Sequence, residues 1–160
     1  MPSDAPAPAR TSLADAVPPV ALGPLDGRYR STVVPLVDHL SEAALNRARL
    51  HVEVEWLIHL TSLRILPGAP RLSGDERHYL REVVAAFGAA DIAELAAIER
   101  ETLHDVKAVE YLLKRRLAAA PETLGAGTVL PSVSEIVHIF CTSEDINNLA
   151  YALTIRDAIA

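Results

Sequence analysis

Cysteine is nearly absent from this sequence: Cys141 stands alone among 160 residues, which excludes an internal disulfide framework. Aromatic residues make up only 4%, too few for a protein built on sheets, whose strands favour aromatic and β-branched side chains. Positive charge is in deficit, with 15 basic against 21 acidic residues and a formal net charge of −6. Phosphate-backbone binding needs the opposite excess, so a general nucleic-acid coat is excluded, although a local anion pocket is not. No apolar run approaches the roughly 20 residues that cross a bilayer. The first 20 residues lack the apolar centre of a secretory signal. No membrane association and a cytoplasmic location are therefore expected.

What the sequence does have is a globular composition: 50% hydrophobic and 22% charged residues, with Ala and Leu abundant. Both are good helix formers, and an all-α fold is expected. Pro2, Pro6, Pro8, Pro18, Pro19 and Pro24 forbid a continuous helix over residues 1–24, which read as an extended arm. Leu25-Asp26-Gly27-Arg28-Tyr29 reads as a turn centred on Asp-Gly.

Helical signals follow. Ser41 is a candidate N-cap, and Leu45, Val52, Trp56, Leu60 and Leu63 form one apolar stripe that Pro67-Gly68 stops. Ser73 and Glu76 have capping-box spacing ahead of Leu80, Val83, Val84 and Phe87, with Gly88 as the stop. Asp91 repeats the cap logic for a helix bearing Ile92, Leu95 and Ala96. Asp105 is placed to cap a helix bearing Val106, Val109, Leu112, Leu113 and Leu117, with Glu110 and Lys114 paired on its exposed side. Residues 121–131 read as a loop and 134–140 as a short helix. Thr142 opens a last helix with Ile146, Leu149, Ala150 and Leu153 on one face. That pattern reaches Ala160 without Gly, Pro or cap, which reads as a segment of a longer chain. Its stripe calls for partner helices, and 142–160 is expected to fray where they are missing.

Four places can carry chemistry. Arg28 can take a carboxylate or phosphate through two parallel hydrogen bonds, with the Tyr29 phenol as a further donor; the alternative is a surface Arg beside a packed Tyr. His104-Asp105 lies at a helix start, where the helix field favours a neutral imidazole and attracts anions; the alternative is a loop His and a simple cap. Thr142 and Ser143 start a helix whose first N–H groups face outward, an anion cradle or an ordinary cap. Asn147-Asn148 inside that helix breaks a local rule, because Asn competes with the helical backbone. His138 and Cys141 share a spacing of three, but zinc needs further ligands that nothing supplies, so no metal is assigned and both read as packed residues. His51, His59 and His78 receive no role. Neither a phosphate-binding loop nor a dinucleotide fingerprint is present.

Four stretches in this order carry a family resemblance: Leu25-Asp26-Gly27-Arg28-Tyr29; Val52-Glu53-Val54-Glu55-Trp56-Leu57; Ile98-Glu99-Arg100-Glu101-Thr102-Leu103-His104-Asp105-Val106-Lys107-Ala108-Val109-Glu110-Tyr111; and Cys141-Thr142-Ser143-Glu144-Asp145-Ile146-Asn147-Asn148. From about Leu22 onward the sequence resembles the N-terminal portion of the adenylosuccinate lyase family, within the fumarase/aspartase superfamily. The resemblance implies an all-α fold: a helical N-terminal domain over residues 25–141, and at 142–160 the first helix of the central helical bundle. It implies a homotetramer and no cofactor. It implies a β-elimination that releases fumarate from adenylosuccinate, giving AMP, and from the succinylated aminoimidazole carboxamide ribotide. Arg28, Tyr29, Leu103, His104, Asp105, Thr142 and Ser143 would contact substrate, with His104 as the catalytic member that orients it. The family usually has a polar or basic residue where Leu103 stands, so only a backbone contact would survive there. The family's acid His and its serine base fall later than residue 160. A non-catalytic helical interaction module, or another lyase of the superfamily, are the alternatives.

Overall fold

The computed structural model describes residues 23–63 and 65–160. The arm expected at 1–24 falls almost entirely outside the described residues. Two compact units divide the chain between Leu36 and Val37. In the first, the Asp26-Gly27 turn forms as expected: the Tyr29 N–H donates to the Pro24 carbonyl at 2.8 Å and the Arg30 N–H to that of Gly27 at 3.0 Å. A short helix α1 (Arg30–Val33) and a 3-10 turn (Val34–Leu36) follow, with none of their residues buried.

The second unit holds α2 (Val37–Leu40), α3 (Glu42–Leu63), α4 (Gly74–Ala85), α5 (Ala89–Thr102), α6 (Asp105–Leu124), a 3-10 segment (Leu130–Ile136) and α7 (Ser143–Ile159). No strand occurs among the described residues, so the all-α expectation holds. Its centre is α3, which packs against α2, α4, α6 and α7. Ser41 caps it as expected, its Oγ accepting from the Ala44 N–H at 3.1 Å. The single stripe expected for α3 is too narrow. Leu50, Val54 and Leu57 are buried beside Val52 and Leu60, whereas Leu63 is exposed. A helix enclosed by four neighbours buries most of its circumference, and polar Asn46, Arg49, Glu53 and Thr61 go inside with it. One main core joins α3, α4, α5, α6 and the 3-10 segment, through Leu57, Leu80, Leu95, Leu112, Leu113 and Leu130 among others.

The capping box at α4 forms in full: the Glu76 N–H donates to Ser73 Oγ at 3.2 Å, and the Ser73 N–H to Glu76 Oε2 at 2.8 Å. The other Glu76 oxygen accepts from the Thr128 hydroxyl and the Val129 N–H, both at 2.7 Å, which ties the loop after α6 to the start of α4. Several local expectations need correction. Helix α4 ends at Ala85, and Gly88 is the N-cap of α5; Asp91 is not that cap but accepts from the Gly88 N–H at 2.9 Å. The cap of α6 is His104 rather than Asp105, which is the first helical residue. Pro121 lies inside α6, which runs to Leu124, because burial of Ala120 and packing of Leu124 on the core outweigh the bond that Pro cannot donate; Gly125, at φ +84°, ends the helix. The short helix expected over 134–140 is instead the 3-10 segment, anchored by fully buried Leu130 and Val133, and a tight turn. Glu110 is buried rather than on an exposed side, held by Lys107 at 2.8 Å and Lys114 at 3.3 Å.

The last helix also finds a partner within the chain. Ile146 and Ala150 of α7 are fully buried and the helix packs along α3, while Leu149 of the expected stripe is 56% exposed. No described helix is long and apolar enough to cross a membrane.

Candidate functional site

The start of α6 is built from a break in the chain. Helix α5 ends at Thr102, and its C-cap Leu103 is a non-glycine residue in the left-handed region at φ 52°. That conformation costs an L-residue about 1–2 kcal/mol. It reverses the chain so that His104 can cap α6. Its own side chain is left 86% exposed. The His104 Nδ1 accepts from the Lys107 N–H at 3.2 Å. An acceptor at Nδ1 leaves Nε2 to carry the ring proton, so a neutral imidazole here is a donor at its outer nitrogen. Asp105 Oδ1 accepts from the Val106 N–H at 2.8 Å. Burial pushes the Asp105 carboxyl up, but the Val106 N–H and the nearby Arg49 guanidinium outweigh it and hold the group below its ordinary value. Leu103, His104 and Asp105 line an open cleft of about 390 Å³, together with Asn46 and Arg49 of α3 and Glu99 of α5.

The start of α7 is the second element. Thr142 caps it, and Asp145 completes a capping box: its Oδ2 accepts from the Thr142 N–H at 2.8 Å and from the Thr142 hydroxyl at 2.9 Å. These contacts hold the exposed Asp145 carboxyl below its usual range. Ser143 is the first helical residue and is half-buried. The Thr142 hydroxyl of the expected cradle is thus turned onto its own helix.

One side chain joins these two helix starts. Arg49 is buried, and its guanidinium donates from all three nitrogens: Nη2 to Asp105 Oδ2 at 2.6 Å, Nε to Asn147 Oδ1 at 2.9 Å, and Nη1 to Asn46 Oδ1 at 2.9 Å. Beside it Val52, Val106 and Ile146 close a small apolar cluster between the same three helices. Among the candidate residues, Leu103, His104, Asp105, Thr142 and Ser143 lie in the second unit, while Arg28 and Tyr29 belong to the first. There the Arg28 guanidinium carbon sits 5.4 Å from the centre of the Tyr29 ring. Sequence reasoning passed over Arg49 and Asn46. Their signal is a polar line at positions 46, 49 and 53, which share one helix face at spacings of three and four. Asn147 breaks a local rule within its helix, and its amide oxygen is one of the acceptors.

The turn that leads into α7 holds a further buried polar group. His138 and Phe140 both adopt left-handed backbone, at φ 67° and 65°. The turn is pinned to α3 twice: the Trp56 indole N–H donates to the Ile139 carbonyl at 2.7 Å, and His138 Nδ1 bonds Glu53 Oε1. Glu53 is fully buried, and its second oxygen has no hydrogen-bond partner among the described residues. Cys141 sits half-buried next to the turn. Its thiol is pushed up to about 11, first by burial and then by the Glu53 and Asp145 charges, so it is not a thiolate nucleophile at neutral pH. No group of three His, Cys, Asp or Glu residues arranged for a metal occurs among the described residues.

Glu53 carries a pH prediction. Burial, the dominant influence, lifts its carboxyl above the ordinary value, and the His138 hydrogen bond and charge recover only part of that. The folded state therefore holds this proton to higher pH than the unfolded chain does. The stabilisation is complete below the ordinary carboxylate range and is lost as pH rises through the higher folded value. The loss runs at no more than about 1.4 kcal/mol per pH unit. Glu53→Gln is expected to flatten that fall in urea-denaturation profiles taken across pH. Parallel profiles for wild type and variant would show that Glu53 does not titrate abnormally.

No family model matches the chain. Adenylosuccinate lyase of Escherichia coli strain K12 is 44% identical over 138 residues, which is 86% of this chain and 29% of that protein. The Haemophilus influenzae enzyme of the same name is 46% identical with the same coverage of both chains. That of Legionella pneumophila strain Corby is 39% identical over 140 residues, 88% of this chain and 29% of the relative. The chain thus spans 29% of the length of the curated relatives it matches. The four motifs that carried the resemblance therefore pointed to the right proteins: over 86% of its own length this chain is similar to part of the adenylosuccinate lyases.

Proposed function

We propose that the chain is the N-terminal part of a cytoplasmic, homotetrameric adenylosuccinate lyase, and that it supplies substrate-binding and orienting groups for the β-elimination. In that reaction a base removes the proton beside a carboxylate, the adjacent carbon–nitrogen bond breaks, and an acid protonates the departing nitrogen. Adenylosuccinate gives AMP and fumarate, and the succinylated aminoimidazole carboxamide ribotide is cleaved in the same way. Negative charge builds on the carboxylate in the transition state, where preorganised donors are most effective. This chain's donors suit that task. Arg28 and Tyr29 bind an anionic end of the substrate. His104 orients it through the Nε2 proton that its capping geometry leaves outward, flanked by Asp105 and by the Leu103 backbone. Ser143 receives a carboxylate at the start of α7, joined by Thr142 when its hydroxyl turns from Asp145 to the substrate. The proton-transfer groups come from beyond these 160 residues.

The observation that carries this reading is the 44% identity over 138 residues to the Escherichia coli enzyme, with the 98–111 and 141–148 motifs forming two helix starts joined by one guanidinium. A chimera tests it: this chain replaces the matched 138 residues of the Escherichia coli enzyme. Fumarate release from adenylosuccinate is expected from the chimera and none from the 160-residue chain alone. A folded, tetrameric chimera without activity would refute the reading, and turnover by the isolated chain would refute the assignment of proton transfer to other segments.

A further inference from the structure

We propose that Arg49 is a positioning residue: its guanidinium locks the His104-Asp105 start of α6 and the first turns of α7 into one unit, so that the two half-sites keep a fixed mutual geometry. What that unit does for substrate rests on the lyase reading; that Arg49 sets its geometry does not.

Three observations support the assignment. The side chain is 6% exposed, and each nitrogen has an acceptor on a different helix: Asn46 on α3, Asp105 on α6, Asn147 on α7. Helix-to-helix adhesion at this place is already provided by Val52, Val106 and Ile146. A buried cation is a poor adhesive, because desolvation offsets much of its attraction. What it adds is direction, since a planar fork fixes the angles of its partners as a flexible ammonium does not. Two of these three contacts fall on the candidate helix starts. Asp105 is the neighbour of His104, and Asn147 lies five residues after Thr142, on the same helix start. Among the described residues, the one charge that neutralises Arg49 is the half-exposed carboxylate of Asp105. A tilt of that carboxylate would move the cap, and with it the His104 ring.

The test uses Arg49→Met, which keeps length and removes every donor, and Arg49→Lys, which keeps charge and removes the fork. In the 160-residue chain, the Asp105 carboxyl is followed by carbon NMR across pH and the His104 ring nitrogens by nitrogen NMR. Arg49→Met is expected to move the Asp105 titration upward. Arg49→Lys is expected to displace the His104 Nδ1 signal from its accepting position, and it decides the matter should Arg49→Met fail to fold. In the chimera both variants are expected to lose about tenfold or more in kcat per folded active site, with KM changed far less. An unchanged Asp105 titration with an unchanged His104 Nδ1 signal, or an unchanged kcat per folded site in an active chimera, would overturn the proposal. A merely structural Arg49 would lower the folded fraction and leave kcat per folded site intact. An inert chimera with Arg49 in place would count against the lyase reading, and the NMR titrations would still decide the role of Arg49.

Discussion

Replacing Leu57 by Ala is expected to destabilise the second unit by about 2–5 kcal/mol, a factor of roughly thirty to several thousand in the folding equilibrium. Leu57 is completely buried in the middle of α3, within the core that α4 and α6 share. Cutting the side chain back removes its transfer free energy and leaves a cavity whose walls, Leu and Val side chains from several helices, can close only in part. The control is Leu149→Ala on α7. Leu149 is 56% exposed, and a substitution there is expected to change stability by no more than about 0.5 kcal/mol. Urea denaturation of both variants gives the comparison directly. The pair is informative because periodicity ranks them the other way: Leu149 stood in an apolar stripe with Ile146, and Leu57 lay outside the stripe of its helix. Equal losses in the two variants would mean that α3 is not the enclosed centre of this unit.

In the chimera, Arg28→Ala is expected to weaken adenylosuccinate binding about ten- to a hundredfold. A charge-assisted hydrogen bond to an anionic substrate is worth roughly 1.5–3 kcal/mol, and 1.4 kcal/mol is one decade in affinity. Arg28 lies in the turn ahead of α1, in the first unit, with its guanidinium over the Tyr29 ring. That stacking orients the cation and leaves its N–H edges available for two parallel bonds to a carboxylate or phosphate. Loss of the side chain should therefore remove a ligand contact with little effect on stability, the reverse of Leu57. Arg28→Lys would keep the charge, lose the paired geometry, and fall between wild type and Ala. Substrate titration by calorimetry on a chimera with its proton-transfer groups disabled separates affinity from turnover. Wild-type affinity in Arg28→Ala would return Arg28 to a surface role.

Local capping chemistry was the most legible part of this molecule. Ser41, the Ser73-Glu76 box and Thr142 all act where the residue types place them, because an N-cap depends on neighbours within three positions and on little else. Its failures are instructive. Gly88 reads as the end of one helix, yet it is the cap of the next, its N–H held by the Asp91 carboxylate. Asp105 is the better cap by propensity, yet His104 holds that position because Leu103 turns the chain one residue earlier and Arg49 occupies the Asp105 carboxylate.

The four motifs carried the likeness to the adenylosuccinate lyases, while composition and hydrophobic pattern by themselves determined the all-α class and the helices around 42–63, 74–85, 105–120 and 143–159 as regions. These follow from propensities and short-range spacing, which act within a few residues along the chain. Only the tertiary structure decided that α3 is enclosed, that Glu110 and Glu53 are buried, that 130–136 winds as a 3-10 segment, and that Arg49 reaches across to Asp105 and Asn147. Those partners are 56 and 98 residues away in sequence. No periodicity encodes such a contact, because it forms only when three separately specified helices bring their polar residues to one point.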